Sequence, residues 1–214
     1  MFRLQPPAGK PPPRARRPTV VGLTAVLAVA GVTAGGAAVL TPRTSKSASL
    51  SPASSPRSST PSAGAAADGV VPDGVTVFDD TYPAVAELDP QLLKALRRAA
   101  RDAADGGVAF RVNSGRRSPA YQNALLRKAV ARYGSAGEAA RWVATAATSP
   151  HVSGKAVDIG GSGATEWLSR HGAAYGLCRI YENEPWHFEL RPRATTGGCP
   201  RRYADPARDP RMRQ

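Results

Sequence analysis

A chain of 214 residues has room for one domain of ordinary size plus accessory segments. Its formal net charge is +13, but eight basic residues and one acid lie before Gly69, so the remainder is only moderately basic at about +6. That charge favours polyanionic surroundings. No RNA- or DNA-binding motif accompanies it, and the aromatics, 6% of residues, are not interleaved with the basic side chains, so no nucleic-acid partner is expected.

In chain order, residues 1–18 carry Arg3, Lys10, Arg14, Arg16 and Arg17 and no acid. They read as a basic cytoplasmic N-terminus. Residues 19–40 form an uncharged run rich in Val, Ala, Leu and Gly, about the 20 residues that a bilayer's hydrocarbon layer requires. The preceding positive charge predicts that the chain runs from inside to outside. The run is longer than the usual signal-peptide core of about 7 to 15 residues but weakly hydrophobic, so a membrane anchor and a cleaved signal are both open. Either way the remainder is expected outside the cytoplasm, anchored to the membrane or secreted. Residues 41–69, rich in Ser, Pro, Ala and Thr, bury too little apolar surface to offset their ordering entropy, which predicts a disordered linker.

A folded domain is expected over residues 70–200. Asp89-Pro90 reads as N-cap and first helical position, and Leu92, Leu93, Leu96 and Ala99 recur at helical spacing until Gly106-Gly107. A short strand is expected from Val108 to Val112. Ser118-Pro119 opens a second helix that Gly134 stops, and a third helix is expected from Glu138 to Ala147. A strand through Ala156 to Ile159, a helix around Thr165 to Tyr175, and strands near Leu177 to Tyr181 and Trp186 to Leu190 complete the pattern. Helices first and strands mostly later predict an α+β fold, with helices packed on a small antiparallel sheet. Residues 201–214, with five arginines, read as a solvated basic tail.

Three segments carry chemistry: Ser114-Gly115-Arg116-Arg117-Ser118 continuing to Gln122, Ser149-Pro150-His151 through Asp158, and Glu184-Pro185-Trp186-His187. Two imidazoles and one carboxylate make a three-ligand zinc site that keeps a fourth position for water. Oxygen-only calcium or magnesium sites would not use two histidines. A carboxylate near the metal, but not bound to it, can accept the water's proton and pass it to a leaving amine, a task that suits Glu184. Arg117 offers a fixed-charge fork for an oxyanion or a terminal carboxylate. His151 or His187 alone would more simply be a structural histidine; their shared context argues otherwise. His171 lies outside every motif and reads as a helix-end residue with no ligand role.

In this order the segments SGRRSPAYQ, SPHVSGKAVD and EPWH resemble the motifs of the VanY-type D-alanyl-D-alanine carboxypeptidases of the LAS zinc metallopeptidase superfamily. The resemblance covers roughly Asp89 to Leu190. It implies a single catalytic domain of the Hedgehog/DD-peptidase-like fold, with one zinc ion on His151, Asp158 and His187. It further implies Glu184 as catalytic base, Arg117 as transition-state stabiliser, and Ser149, Gln122 and Ser118 on the substrate side; Trp186, beside them, reads as core or pocket wall. The implied substrate is the peptidoglycan stem peptide, with no nucleotide or organic cofactor. Arg116 stands where the family usually has tyrosine, which bears on the substrate subsite. Removal of the terminal D-alanine is the leading expectation. An L,D-carboxypeptidase, a D,D-dipeptidase, a stem-peptide endopeptidase and a non-catalytic zinc-containing wall-binding module are the alternatives. The expected state is a monomer. Cys178 and Cys199 are the only cysteines and show no C-x-x-C or metal spacing, so export predicts a disulfide between them.

Overall fold

A computed structural model describes residues 61–213, which lie within one compact unit, Pro52–Gln214. The expected anchor or signal run, residues 19–40, and most of the expected linker lie outside the described residues. Among the described residues no helix is long and apolar enough to cross a membrane. Two short helices, α1 (Ala63–Ala67) and α2 (Pro83–Ala86), precede the long α3 (Pro90–Ala104) and strand β1 (Arg111–Ser114). Helices α4 (Pro119–Tyr133) and α5 (Ala136–Ala139) lead to β2 (Ala156–Gly160). Helix α6 (Ala164–His171) runs on into a 3-10 turn at Gly172–Tyr175, before β3 (Leu177–Arg179) and β4 (His187–Leu190). Helix α7 (Ala194–Gly197) and 3-10 turns at Pro206–Arg208 and Pro210–Arg213 close the described chain.

Local chemistry accounts for the two long helices. The Asp89 side chain accepts from the Gln91 and Leu92 amides, and Pro90 needs no donor at the first position. Leu92, Leu96, Ala99 and Ala103 then fall on one buried stripe of α3. Ser118 caps α4 by accepting from the Tyr121 amide, and Gly134 ends it in the left-handed conformation at φ +82°.

The four strands pair antiparallel in the order β1-β2-β4-β3, so the fold is α+β with a small antiparallel sheet, as expected. Alternation along the strands gives the sheet two unlike faces. Val112, Val157, Ile159, Leu177 and Phe188 join Leu92, Leu96 and Ala99 of α3 in the main apolar cluster. Each large aliphatic side chain buried there contributes roughly 1.5–3 kcal/mol. Cys178, Ile180, Tyr181 and Ala194, with Tyr203 against them, make a second, smaller cluster, and Cys178 is disulfide-bonded to Cys199.

Three expectations need correction. The linker does not extend to Gly69: Ser62 caps α1, and Asp68 accepts a hydrogen bond from the Ser118 hydroxyl at 2.6 Å. Gly69 sits at φ +99°, and a Cβ there would lie 2.2 Å from the Arg116 carbonyl, so the segment docks closely on the domain. The third helix stops at Ala139 and does not reach Ala147. The Ala144 carbonyl accepts from the Gln122 side chain, so a side chain claims a group that a helix ladder would use. Residues 201–213 are not a solvated tail either. Asp205 and Asp209 are buried, and Arg211 pairs with Asp209 and Glu189. Composition alone hides this, because Glu189 lies 22 residues away from Arg211.

Candidate metal and active site

Strand register builds the site. In the β2–β4 pair Asp158 stands opposite His187, so two of the candidate ligands are cross-strand neighbours. His151 arrives on the turn before β2, which closes through a bond from the Lys155 amide to the Pro150 carbonyl. Gly154 makes that turn at φ +69°, and a Cβ there would lie 2.6 Å from the Glu87 carbonyl.

All three side chains are buried and converge. His151 Nε2 lies 3.2 Å from His187 Nδ1 and 3.4 Å from Asp158 Oδ1, and His187 Nδ1 lies 3.3 Å from Asp158 Oδ1. Metal–ligand bonds of about 2.0–2.1 Å in tetrahedral coordination require donor atoms about 3.3 Å apart, so this triangle has the edge of a zinc site. Proton placement supports the fit. The Gly115 carbonyl, which can only accept, lies 2.8 Å from His151 Nδ1 and fixes the hydrogen there. Glu189 Oε1 lies 3.2 Å from His187 Nε2 and accepts the hydrogen of that ring. The lone pairs of His151 Nε2 and His187 Nδ1 are therefore turned towards each other and towards a carboxylate oxygen, an arrangement that calls for a cation.

Electrostatics agree. With no metal bound, burial opposes a charged His187, yet hydrogen bonds to Asp158 and Glu189 outweigh it and lift the imidazole to about 9. Burial followed by the Arg117 charge depresses His151. Asp158 stays well below the usual carboxylate range although burial works the other way, because His151, His187 and Arg117 face it. A positive charge thus belongs at the triangle, as a proton or as a metal ion.

Glu184 stands beside the triangle with Oε2 3.7 Å from His187 Nδ1. Burial pushes its carboxyl up to about 7. Arg117 donates from Nη2 to Asp158 Oδ2 at 2.8 Å, from Nε to Ser114 Oγ at 2.7 Å and from Nη1 to Gln122 Oε1 at 3.2 Å. Three of the five guanidinium hydrogens are thereby used. Gln122, itself buried, anchors this arrangement by donating to the Ala144 carbonyl at 2.9 Å.

The triangle opens into a cavity of about 360 Å³ whose lining includes Arg117, Gln122, Ser149, Glu184 and Trp186. Ser118 does not line it; its hydroxyl caps α4 and bonds Asp68. Arg116 is also outside the lining and pairs with Glu87 at 3.0 Å. Sequence reasoning overlooked Glu189, although its position two residues after His187 on a strand puts both on one face. Tyr181, whose ring centroid lies 5.0 Å from that of His187, and Pro206 and Met212, which help line the cavity, carried no comparable signal.

Comparison with known proteins bears on this arrangement. A D-alanyl-D-alanine carboxypeptidase of Enterococcus faecalis is 34% identical over 107 residues, 38% of this chain and 40% of that protein, so the chain matches less than half of that relative's length. Among solved structures, VanYB in complex with D-alanine-D-alanine is 26% identical, covers 52% of this chain and 79% of that one, and superposes with a TM-score of 0.47. The LD-carboxypeptidase LdcB is 23% identical, covers 61% and 70% of the two chains, and gives a TM-score of 0.48. The sequence profile of VanY, described as D-alanyl-D-alanine carboxypeptidase, matches residues 85–193, half of the chain and all three motif segments. The chain belongs to the VanY D-alanyl-D-alanine carboxypeptidase family.

Proposed function

We propose that the protein is a zinc-dependent D,D-carboxypeptidase that removes the terminal D-alanine from peptidoglycan stem peptides outside the cell membrane. The observation that carries this reading is the donor triangle with edges of 3.2–3.4 Å and a buried glutamate beside it. His151, Asp158 and His187 would hold the ion. When bound, zinc supplies a Lewis acid and lowers the pKa of its water to about 7. Glu184 accepts a proton from the attacking water and returns it to the amine of the departing residue. Its burial, which raises its proton affinity, suits both halves of that task. Arg117 orients Asp158 and keeps two N–H groups for a substrate oxygen that gains negative charge. Ser149, Gln122 and Trp186 shape the surrounding wall. The N-terminal run, as anchor or cleaved signal, would deliver this domain to the wall, and the monomer would suffice because all the proposed groups come from one chain.

Mass spectrometry of purified muropeptides after incubation with the zinc-loaded protein tests the reading. The expected result is pentapeptide shortened by one alanine. Removal of the last residue from tetrapeptides would indicate an L,D-carboxypeptidase, release of a dipeptide a D,D-dipeptidase, and opening of cross-links an endopeptidase. Retention of every fragment intact by zinc-loaded protein would leave a binding module and overturn the enzymatic reading.

A further inference from the structure

We infer that Arg211, in the C-terminal segment beyond the family match, is a positioning residue that sets His187 for metal binding by clamping Glu189. This inference rests on the zinc reading given above. Glu189 is 1% exposed on β4, and a carboxylate so buried is costly unless several donors surround it. His187 Nε2 uses Oε1. Arg211 reaches across with a fork, Nη1 at 2.7 Å from Oε2 and Nη2 at 3.2 Å from Oε1. Arg191, the other cation on Glu189, touches only Oε2, at 2.6 Å. Arg211 is therefore the cation that fixes the plane of the carboxylate as well as its charge.

The clamp is itself braced. Asp209, fully buried, accepts from Arg211 Nε at 3.0 and 3.1 Å and from the Tyr181 hydroxyl at 3.1 Å. The Tyr181 ring packs at 5.0 Å from His187, so the chain of contacts from His187 through Glu189, Arg211, Asp209 and Tyr181 returns to its starting residue. A carboxylate that holds one imidazole nitrogen decides ring orientation and leaves the other nitrogen free for a metal. Arg211 acts one step further out, by aiming that carboxylate. Its position lies outside residues 85–193, the span matched by the family profile.

The test is zinc affinity by chelator competition, with the absorption spectrum of the cobalt(II)-substituted protein as a second readout. Arg211→Met should weaken zinc binding about 10- to 100-fold, the usual range for loss of a supporting partner. It should also shift the cobalt spectrum and lower kcat with KM little changed, while Arg208→Met, a change at an exposed neighbour, leaves all three alone. Arg211→Lys should restore part of the affinity, since an ammonium keeps the charge without the fork. In a Glu189→Gln background Arg211→Met should add little, because the two residues act in series. Should Arg211→Met fail to fold, Arg211→Gln is the milder replacement for the same measurements. Wild-type zinc affinity in a folded Met or Gln variant, or independent losses in the double variant, would overturn the inference. A wild-type protein that binds no zinc would instead overturn the functional reading on which it rests.

Discussion

On the side of the sheet that meets α3, Val112, Val157, Ile159, Leu177 and Phe188 are buried among leucines and alanines. On the opposite side the alternate residues of the same strands, Asp158, His187 and Glu189, are almost as buried, yet they are polar and paired with one another or with arginine. Burying apolar surface stabilises the fold, whereas burying charge stabilises it little even when every group finds a partner. The first face therefore holds the domain together. The second spends stability on buried carboxylates and imidazoles that pair with one another and with arginine.

The largest effect is expected on the polar face. Glu184→Ala should lower turnover about 10²- to 10⁴-fold, as loss of a general base does, while one zinc ion stays bound. The pH dependence sharpens this. A base must be ionised, so kcat/KM should rise with pH and level off above the glutamate's pKa. Burial sets that pKa at about 7, and a cation at the triangle pulls it down, so the rising limb should lie at or below pH 7. A plateau extending unbroken to acid pH, measured with zinc kept bound, would argue against Glu184.

The apolar face should respond in the opposite sense. Leu96→Ala, at a position with no exposure, should cost about 2–5 kcal/mol in denaturant unfolding and leave zinc affinity unchanged. Next in size is the Cys178–Cys199 disulfide. It ties the segment after β4 to a cluster of four buried residues. Replacing both cysteines by serine should cost about 3 kcal/mol in the chain-entropy account of a loop this long. The smallest change tests where Ser118 belongs. Ser118→Ala removes the α4 cap and the Asp68 bond, so it should cost about 0.5–2 kcal/mol of stability. A kcat/KM that falls with it in the still-folded enzyme would return Ser118 to the substrate side.

The parts legible in the sequence are those that a local pattern encodes. Asp89-Pro90 and the leucine spacing mark α3, Ser118 and Gly134 bracket α4, and the spacings around His151, Asp158 and His187 mark three groups that the β2–β4 register then brings together. Glu189 was also within reach, as an acid in an otherwise apolar stretch and in step with His187. Arg211 was not, since its value lies in meeting Glu189 across the fold, and five arginines in a terminal segment look like a solvated end until their partners are placed. The aborted third helix has the same origin: Gln122, on another helix, takes a carbonyl that local propensity would have given to the ladder.

Metal analysis of purified protein tests the central claim most directly. Wild type and Glu184→Ala should each bind one zinc ion per chain, whereas His151→Ala and Asp158→Asn, although folded, should bind none at the same free zinc concentration. Retention of a full equivalent by either ligand variant, at wild-type affinity, would contradict the account.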